Sequence, residues 1–384
     1  MSHVFVWMGL LALTLLHCGS AFKVVCYFTN WSQYRETTGR FTPENIDPSL
    51  CSHIIYAFAK IEDNVIANSE WNDATMYKKI NSLKSRNPSL KTLLSVGGYG
   101  VGTAPFRRIT RSPFYRSEFV ISVVQFLQQH NFDGLDLSWH GAEQSDKERL
   151  SDLVKDLSAA FNNEGMQKFI LSVSVPAGKE AIDKGYDIKT ISEYADFINA
   201  MTYDFHGYWE DNSHPYTGHG SPLQKGHADS GSASAYNVDY AVHFLKTEGA
   251  PLQKIVMAIP THGRTFTLSS AQTMVAAPAS GPGTPGAFTK KAGTLAYYEI
   301  CSFNHGATKR WTEEQSVPYS YKGNQWVGYE DTRSVQIKAR YVKSNHLGGV
   351  NIWSLDQDDF SGSFCNEGKY PLLGAIKMEL DKRE

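Results

Sequence analysis

The segment "FDGLDLSWHG", residues 132–141, holds the side chains with the clearest chemical potential. Alternation along an extended strand puts Asp136, Ser138 and His140 on one face and Leu135, Leu137 and Trp139 on the other. An imidazole with an ordinary pKa near ~6.5 can hold and deliver a proton close to neutral pH. A carboxylate such as Asp133 or Asp136 can orient a partner or offset a positive charge. The acidic series Asp133, Asp136 then stops: an alcohol and an imidazole stand where a further carboxylate would complete an acid–base pair. The ordinary alternative for His140 is a space-filling ring bonded to its neighbours.

Elements must position these groups. Eight short apolar runs, at 23–28, 53–59, 92–98, 134–139, 169–175, 197–204, 255–260 and 348–354, alternate with helical stretches. Their apolar character suits strands buried on both faces. Phe119, Val123, Phe126 and Leu127 share one helical face before the fourth run. Leu150, Leu153, Val154, Leu157 and Phe161 share another after it. Eight strand–helix alternations predict an α/β fold, a closed (β/α)₈ barrel over residues 22–384. Between the seventh and eighth strands the chain is too long for one helix. Residues 263–330 are predicted to form a small α+β insertion beside the rim where barrel active sites lie, with "TLAYYEI" and "NQWVGYE" as β-like pieces.

Composition narrows the partners. The 37 Lys+Arg balance 39 Asp+Glu, which argues against bulk nucleic-acid or membrane binding. Residues 1–21 read as a signal peptide cleaved after Ala21, with a retained anchor as the alternative; no later apolar run reaches spanning length. A secreted, extracellular protein is expected. Four cysteines remain after the leader: Cys26, Cys51, Cys301 and Cys365. An oxidising compartment suggests two disulfides, and among three connectivities the clustering favours Cys26–Cys51 with Cys301–Cys365. Asn30-Trp31-Ser32 is a glycosylation sequon.

Three motifs carry little. Gly281, Gly283 and Gly286 match G-x-G-x-x-G, but Pro282 and Pro285 interrupt it and no strand–helix context surrounds it. His206, His214, His219 and His227 are irregularly spaced, so no metal is expected. "FRRITRSPFYR" could bind sulfated glycans, against the plainer reading of a solvated surface.

Aromatic residues make up 12% of the chain, and several stand where strands should emerge: Tyr27, Trp31, Phe58, Tyr99, Tyr203, Trp209 and Trp353. Core packing explains any one of them. Their recurrence at strand ends favours an aromatic-lined groove for sugars.

At these residues the chain resembles a known family. "FDGLDLSWH" resembles the D-G-x-D-x-D-x-E signature of the family-18 glycoside hydrolases, the chitinases. "CYFTNWSQYR", "SHIIYAFA", "LKTLLSVGGY", "INAMTYDFHG", "APASGPGTPG" and "WSLDQDDFSGSFC" resemble the vertebrate chitinase-like lectins of the chitinase-3-like group. The resemblance spans nearly the whole mature chain. It implies the barrel, the α+β insertion, a chitin-oligosaccharide groove and the disulfide pairing given above.

Active members of that family cleave with the help of the substrate's own N-acetyl oxygen, while a glutamic acid protonates the leaving oxygen and a preceding aspartate orients the acetamido group. Here Asp133 and Asp136 match the first two acids, Ser138 replaces the orienting aspartate and His140 replaces the acid. By the same resemblance Tyr27, Trp31, Phe58, Tyr99, Met201, Tyr203, Asp204, Trp209, Arg264 and Trp353 match sugar-contacting positions, with Trp353 as the floor. Three departures stand out: Tyr99 in place of a usual tryptophan, Gly141 in place of a tyrosine, and His262 at a position often aromatic or apolar.

The expected function is a secreted, non-catalytic lectin for chitin oligosaccharides or other N-acetylglucosamine-containing glycans, needing no cofactor. The alternatives are a weak hydrolase using His140 as its acid, and a signalling or matrix protein with a relic groove that meets sulfated glycans or a cell-surface receptor.

Overall fold

A computed structural model describes residues 22–163, 168–209 and 215–382. The expected leader, 1–21, and His214 lie outside the described residues. Eight parallel strands close on themselves: Lys23–Thr29, His53–Glu62, Lys91–Gly97, Gly134–Ser138, Ile170–Pro176, Phe197–Met201, Ile255–Pro260 and Gly349–Trp353. Closure comes at the first strand, which pairs with the last (Val24 with Val350) and with the second (Cys26 with Ile54). Each lies within an expected run or overlaps it, and the architecture is the predicted barrel.

Strand alternation sorts the side chains. Val24, Cys26 and Phe28 face outward into the main core under the helices, while Val25 and Tyr27 join a small inner cluster with Ile55, Leu93 and Phe197. The helix Lys147–Phe161 buries Leu150, Leu153, Val154, Leu157 and Phe161, as its periodicity requires.

Between the seventh and eighth strands the chain builds a second, six-stranded antiparallel sheet, running from His262–Leu268 to Gln325–Gly328. One expectation there is corrected. "TLAYYEI" is not one β-like piece: Thr294–Ala296 pairs with His262–Leu268, and Tyr297–Phe303 is a helix. Glu299 explains the switch. Its carboxylate accepts from Ala296 N at 2.9 Å, Phe288 N at 2.7 Å and Thr289 N at 3.0 Å, capping the helix and fastening a neighbouring loop.

Both disulfides form, Cys26–Cys51 and Cys301–Cys365. The second ties the inserted helix to the loop that follows the last barrel strand. Among the described residues no helix is long and apolar enough to cross a membrane.

The asparagine of the sequon is buried. Asn30 is 4% exposed, and its Nδ2 donates to Phe58 O at 3.2 Å and Asp73 Oδ1 at 3.3 Å. The nitrogen that would carry a glycan is used by those two bonds.

Candidate functional site

Inward-facing residues of several strands meet at the centre of the barrel. Asp136 is fully buried and accepts from Ser95 Oγ at 2.7 Å, Ser172 Oγ at 2.8 Å, Tyr27 OH at 3.1 Å and Asn199 Nδ2 at 3.1 Å. Burial pushes its carboxyl above the ordinary value despite those donors. Asp133 lies at the opposite end of the strand. It accepts from Thr92 N at 2.7 Å and pairs with Lys84, so it fixes strand registry.

The fourth strand ends at Ser138, one residue earlier than expected. Trp139 turns away and stacks on Phe106, with ring centroids 4.9 Å apart. His140 therefore lies beyond the strand, yet its Nε2 returns to within 2.9 Å of Ser138 Oγ. Burial lowers its pKa to about 4. At neutral pH the ring is uncharged and serves as the hydrogen-bond partner of the serine.

Two glycines shape this corner. A Cβ on Gly97 would lie 2.3 Å from Ser138 O, so only glycine allows that approach. Gly141 adopts φ 72°, where a side chain costs energy.

Aromatic rings surround Trp353. Its ring lies 5.2 Å from Tyr27, 6.0 Å from Phe58, 6.3 Å from Tyr203 and 6.4 Å from Trp31. Trp31 is 41% exposed, whereas Phe58, Tyr203 and Trp353 are half-buried. Met201 ends the sixth strand and is half-buried beside them. Tyr27 departs from expectation. It is 4% exposed, with its hydroxyl committed to Asp136 and Ser174, so it supports Trp353 from beneath instead of facing the groove. Tyr99 departs the other way: it is 90% exposed and stands outside the cavity described below.

Asp204 organises the next wall. Arg264 Nε donates to its Oδ1 at 2.7 Å, the Arg264 fork also reaches Oδ2, and His262 Nε2 lies 3.0 Å from Oδ1. Burial pulls the Asp204 pKa upward, but His262 and Arg264 outweigh it and hold the carboxyl far below the usual range. The Arg264 guanidinium lies 4.7 Å from the Trp209 ring centroid. A cavity of about 390 Å³ opens between Trp31, His262, Arg264, Phe288 and Trp353. Ser138 and His140 do not line it.

Two further exposed rings, Tyr34 and Trp71, lie outside the set read from the sequence, and Tyr34 lines the cavity. Both are exposed, at 53% and 85%, and Tyr34 OH donates to Glu70 next to Trp71. A lone tryptophan in the polar run "NSEWND" was the available signal.

Comparison with known proteins now decides the family. The family model described as glycosyl hydrolases family 18 matches residues 23–358. The chain belongs to glycosyl hydrolase family 18. Within that family it is 49% identical to human chitinase-3-like protein 2 over 97% of this chain and 96% of the relative. It is 45% identical to mouse chitotriosidase-1 over 98% of this chain and 82% of the relative. Human YKL-39, described as a pseudo-chitinase with retained chitooligosaccharide binding, superposes with a TM-score of 0.92 at 48% identity, covering 94% of this chain and all of that one.

The secondary motifs resolve structurally. His219 is buried, with Nε2 donating to Tyr329 O at 2.7 Å and Nδ1 accepting from Ser221 N at 2.9 Å. No group of three or more metal-binding side chains occurs among the described residues. In the arginine-rich segment, Arg107 is bonded to Asp146 and Glu143, and Arg116 to Asp152 and Asp156. Two of its four guanidiniums, those of Arg107 and Arg116, are thereby paired with carboxylates.

Proposed function

We propose that this protein is a secreted, non-catalytic lectin that binds chitin oligosaccharides along the aromatic barrel mouth. The observation that carries the reading is the Ser138–His140 hydrogen bond at the positions of the family's orienting aspartate and acid. A ring that titrates near about 4 brings no proton to a glycosidic oxygen at neutral pH, and an uncharged serine cannot offset the positive charge that develops on the sugar. The stacking platforms are retained by comparison. Trp353 presents a face framed by Phe58, Tyr203 and Trp31, and the sugar's apolar C–H face is the natural partner of such a ring.

The polar wall fits the same ligand. Asp204, held charged by Arg264 and His262, offers fixed acceptors, and the Arg264 fork stays rigid against it. The human relative is described as a pseudo-chitinase with retained chitooligosaccharide binding, and its fold superposes on this chain with a TM-score of 0.92, which supports the reading.

Titration with chitotetraose at pH 7 tests the proposal. Tryptophan fluorescence should respond in the wild type, and Trp353→Ala should weaken binding by roughly thirtyfold, the effect of losing a central stacking anchor worth about 2 kcal/mol. An unresponsive wild type at millimolar sugar would favour a relic groove. Product release at pH 7 that disappears in His140→Ala would favour a working hydrolase.

A further inference from the structure

Asp204, in the groove wall, holds a left-handed backbone without being glycine, with φ 58°. Such a conformation persists only where its surroundings hold it. The residues that hold it are fastened from behind the wall. Thr202, two positions earlier, is buried. Its hydroxyl donates to Ala258 O at 2.8 Å, and its carbonyl accepts from Ser221 Oγ at 2.7 Å. Phe205, the next residue, donates its N–H to Gly220 O at 2.9 Å. Both flanks of Asp204 are therefore bonded to the short segment Gly220-Ser221.

That segment is clamped in turn. Lys338 is fully buried on the helix Thr332–Ser344, and its Nζ donates to Ser221 O at 2.5 Å, to Ser221 Oγ at 2.8 Å and to the Glu330 carboxylate. Glu330 is also buried and takes a second donor, Ser334 Oγ, at 2.7 Å. Gly220 passes so close to Arg264 that a Cβ there would lie 3.0 Å from Arg264 Cγ. A shift of the segment would be felt by both partners of the Asp204–Arg264 pair.

We infer that the buried Lys338–Glu330 pair is a positioning device for the sugar groove: through Ser221 it fixes the left-handed turn that aims Asp204 at Arg264 and the ligand. Desolvating two charges costs much of what a buried pair returns, so the attraction between the charges is not by itself a reason for the pair. The ion pair earns its place through the three donors on one nitrogen, which an apolar side chain cannot supply. The consequence for binding rests on the lectin reading, whereas the clamp itself does not.

The experiment uses the full chain with Lys338→Met/Glu330→Leu, and separately Ser221→Ala, which removes the Ser221 Oγ bonds to Thr202 O and from Lys338 and leaves the charges in place. In the unliganded protein, hydrogen exchange at the Phe205 amide should quicken by about tenfold or more in both variants, with the strand Ile255–Pro260 unchanged. Unchanged exchange at Phe205 overturns the clamp. For chitotetraose, each variant should bind about tenfold more weakly, and adding Asp204→Ala to either should weaken binding no further than Asp204→Ala alone. Losses that simply multiply overturn the route through Asp204. If the wild type takes no sugar, the lectin reading falls while the exchange result still decides the clamp.

Discussion

Replacing Ser138 by aspartate together with His140 by glutamate is expected to convert the groove into a hydrolase working best below neutral pH. The Ser138 and His140 side chains are 2.9 Å apart at their polar ends, and Asp136 sits one step below on the same inner face. Carboxylates at 138 and 140 would stand beside each other above a carboxyl that burial already pushes upward. Two like charges about 4 Å apart repel by about 4 kcal/mol at an effective dielectric near 20. That is enough to raise one pKa by about 3 units, so one group keeps its proton near neutral pH and can act as the acid. Positioned proton transfer contributes about 10²–10⁴ in rate. The assay is chromatography of chitotetraose digests from pH 4 to 8. The double variant should exceed the wild type by about 10² or more, with the rate falling as pH rises, and His140→Glu alone should gain less. A double variant that folds and binds the tetramer yet stays inert would refute the idea that these two groups are what is missing. It would move the deficit to Gly141, which has no side chain to contact the sugar and whose φ of 72° disfavours one.

Two further outcomes are expected. Burial lowers the titration of His53 and His140 to about 4 and of His219 to about 3. These folded-state values lie below the unfolded value near ~6.5, so stability is complete above about pH 6.5 and is lost as pH falls towards them. At roughly 1.4 kcal/mol per pH unit, His53 and His140 each remove up to about 3 kcal/mol by pH 4; urea midpoints that do not fall between pH 7 and pH 4 would contradict this. Expression in a glycosylating host should leave Asn30 unmodified by peptide mass spectrometry, and Asn30→Ala should cost about 1–3 kcal/mol by removing the donor to Phe58 O and one of several donors to Asp73. Full occupancy of the sequon would show that Asn30 is not the buried donor described.

The barrel was legible because its strands are short apolar runs and its helices repeat Leu150, Leu153, Val154 and Leu157 on one face. Alternation also told which residues face inward, including Asp136 and Ser138. It could not tell depth along the barrel axis. Tyr27 and Trp353 both read as mouth aromatics, yet one carries the other at 5.2 Å. Sequons are read from three residues, while the burial of Asn30 depends on Asp73 and Phe58, distant in the chain. The Asp204 wall was hidden for a similar reason, since His262 and Arg264 follow Asp204 by 58 and 60 residues. In the "TLAYYEI" run, β-favouring residues masked a helix that Glu299 starts through bonds to a loop.

A crystal soaked with chitotetraose at neutral pH tests the central claim most directly, because it reports occupancy and bond integrity together. The account predicts an uncut tetramer with one ring stacked on Trp353 and an acetamido group near Ser138 and His140. A shortened sugar in that density, or a groove left empty at saturating ligand, would contradict it.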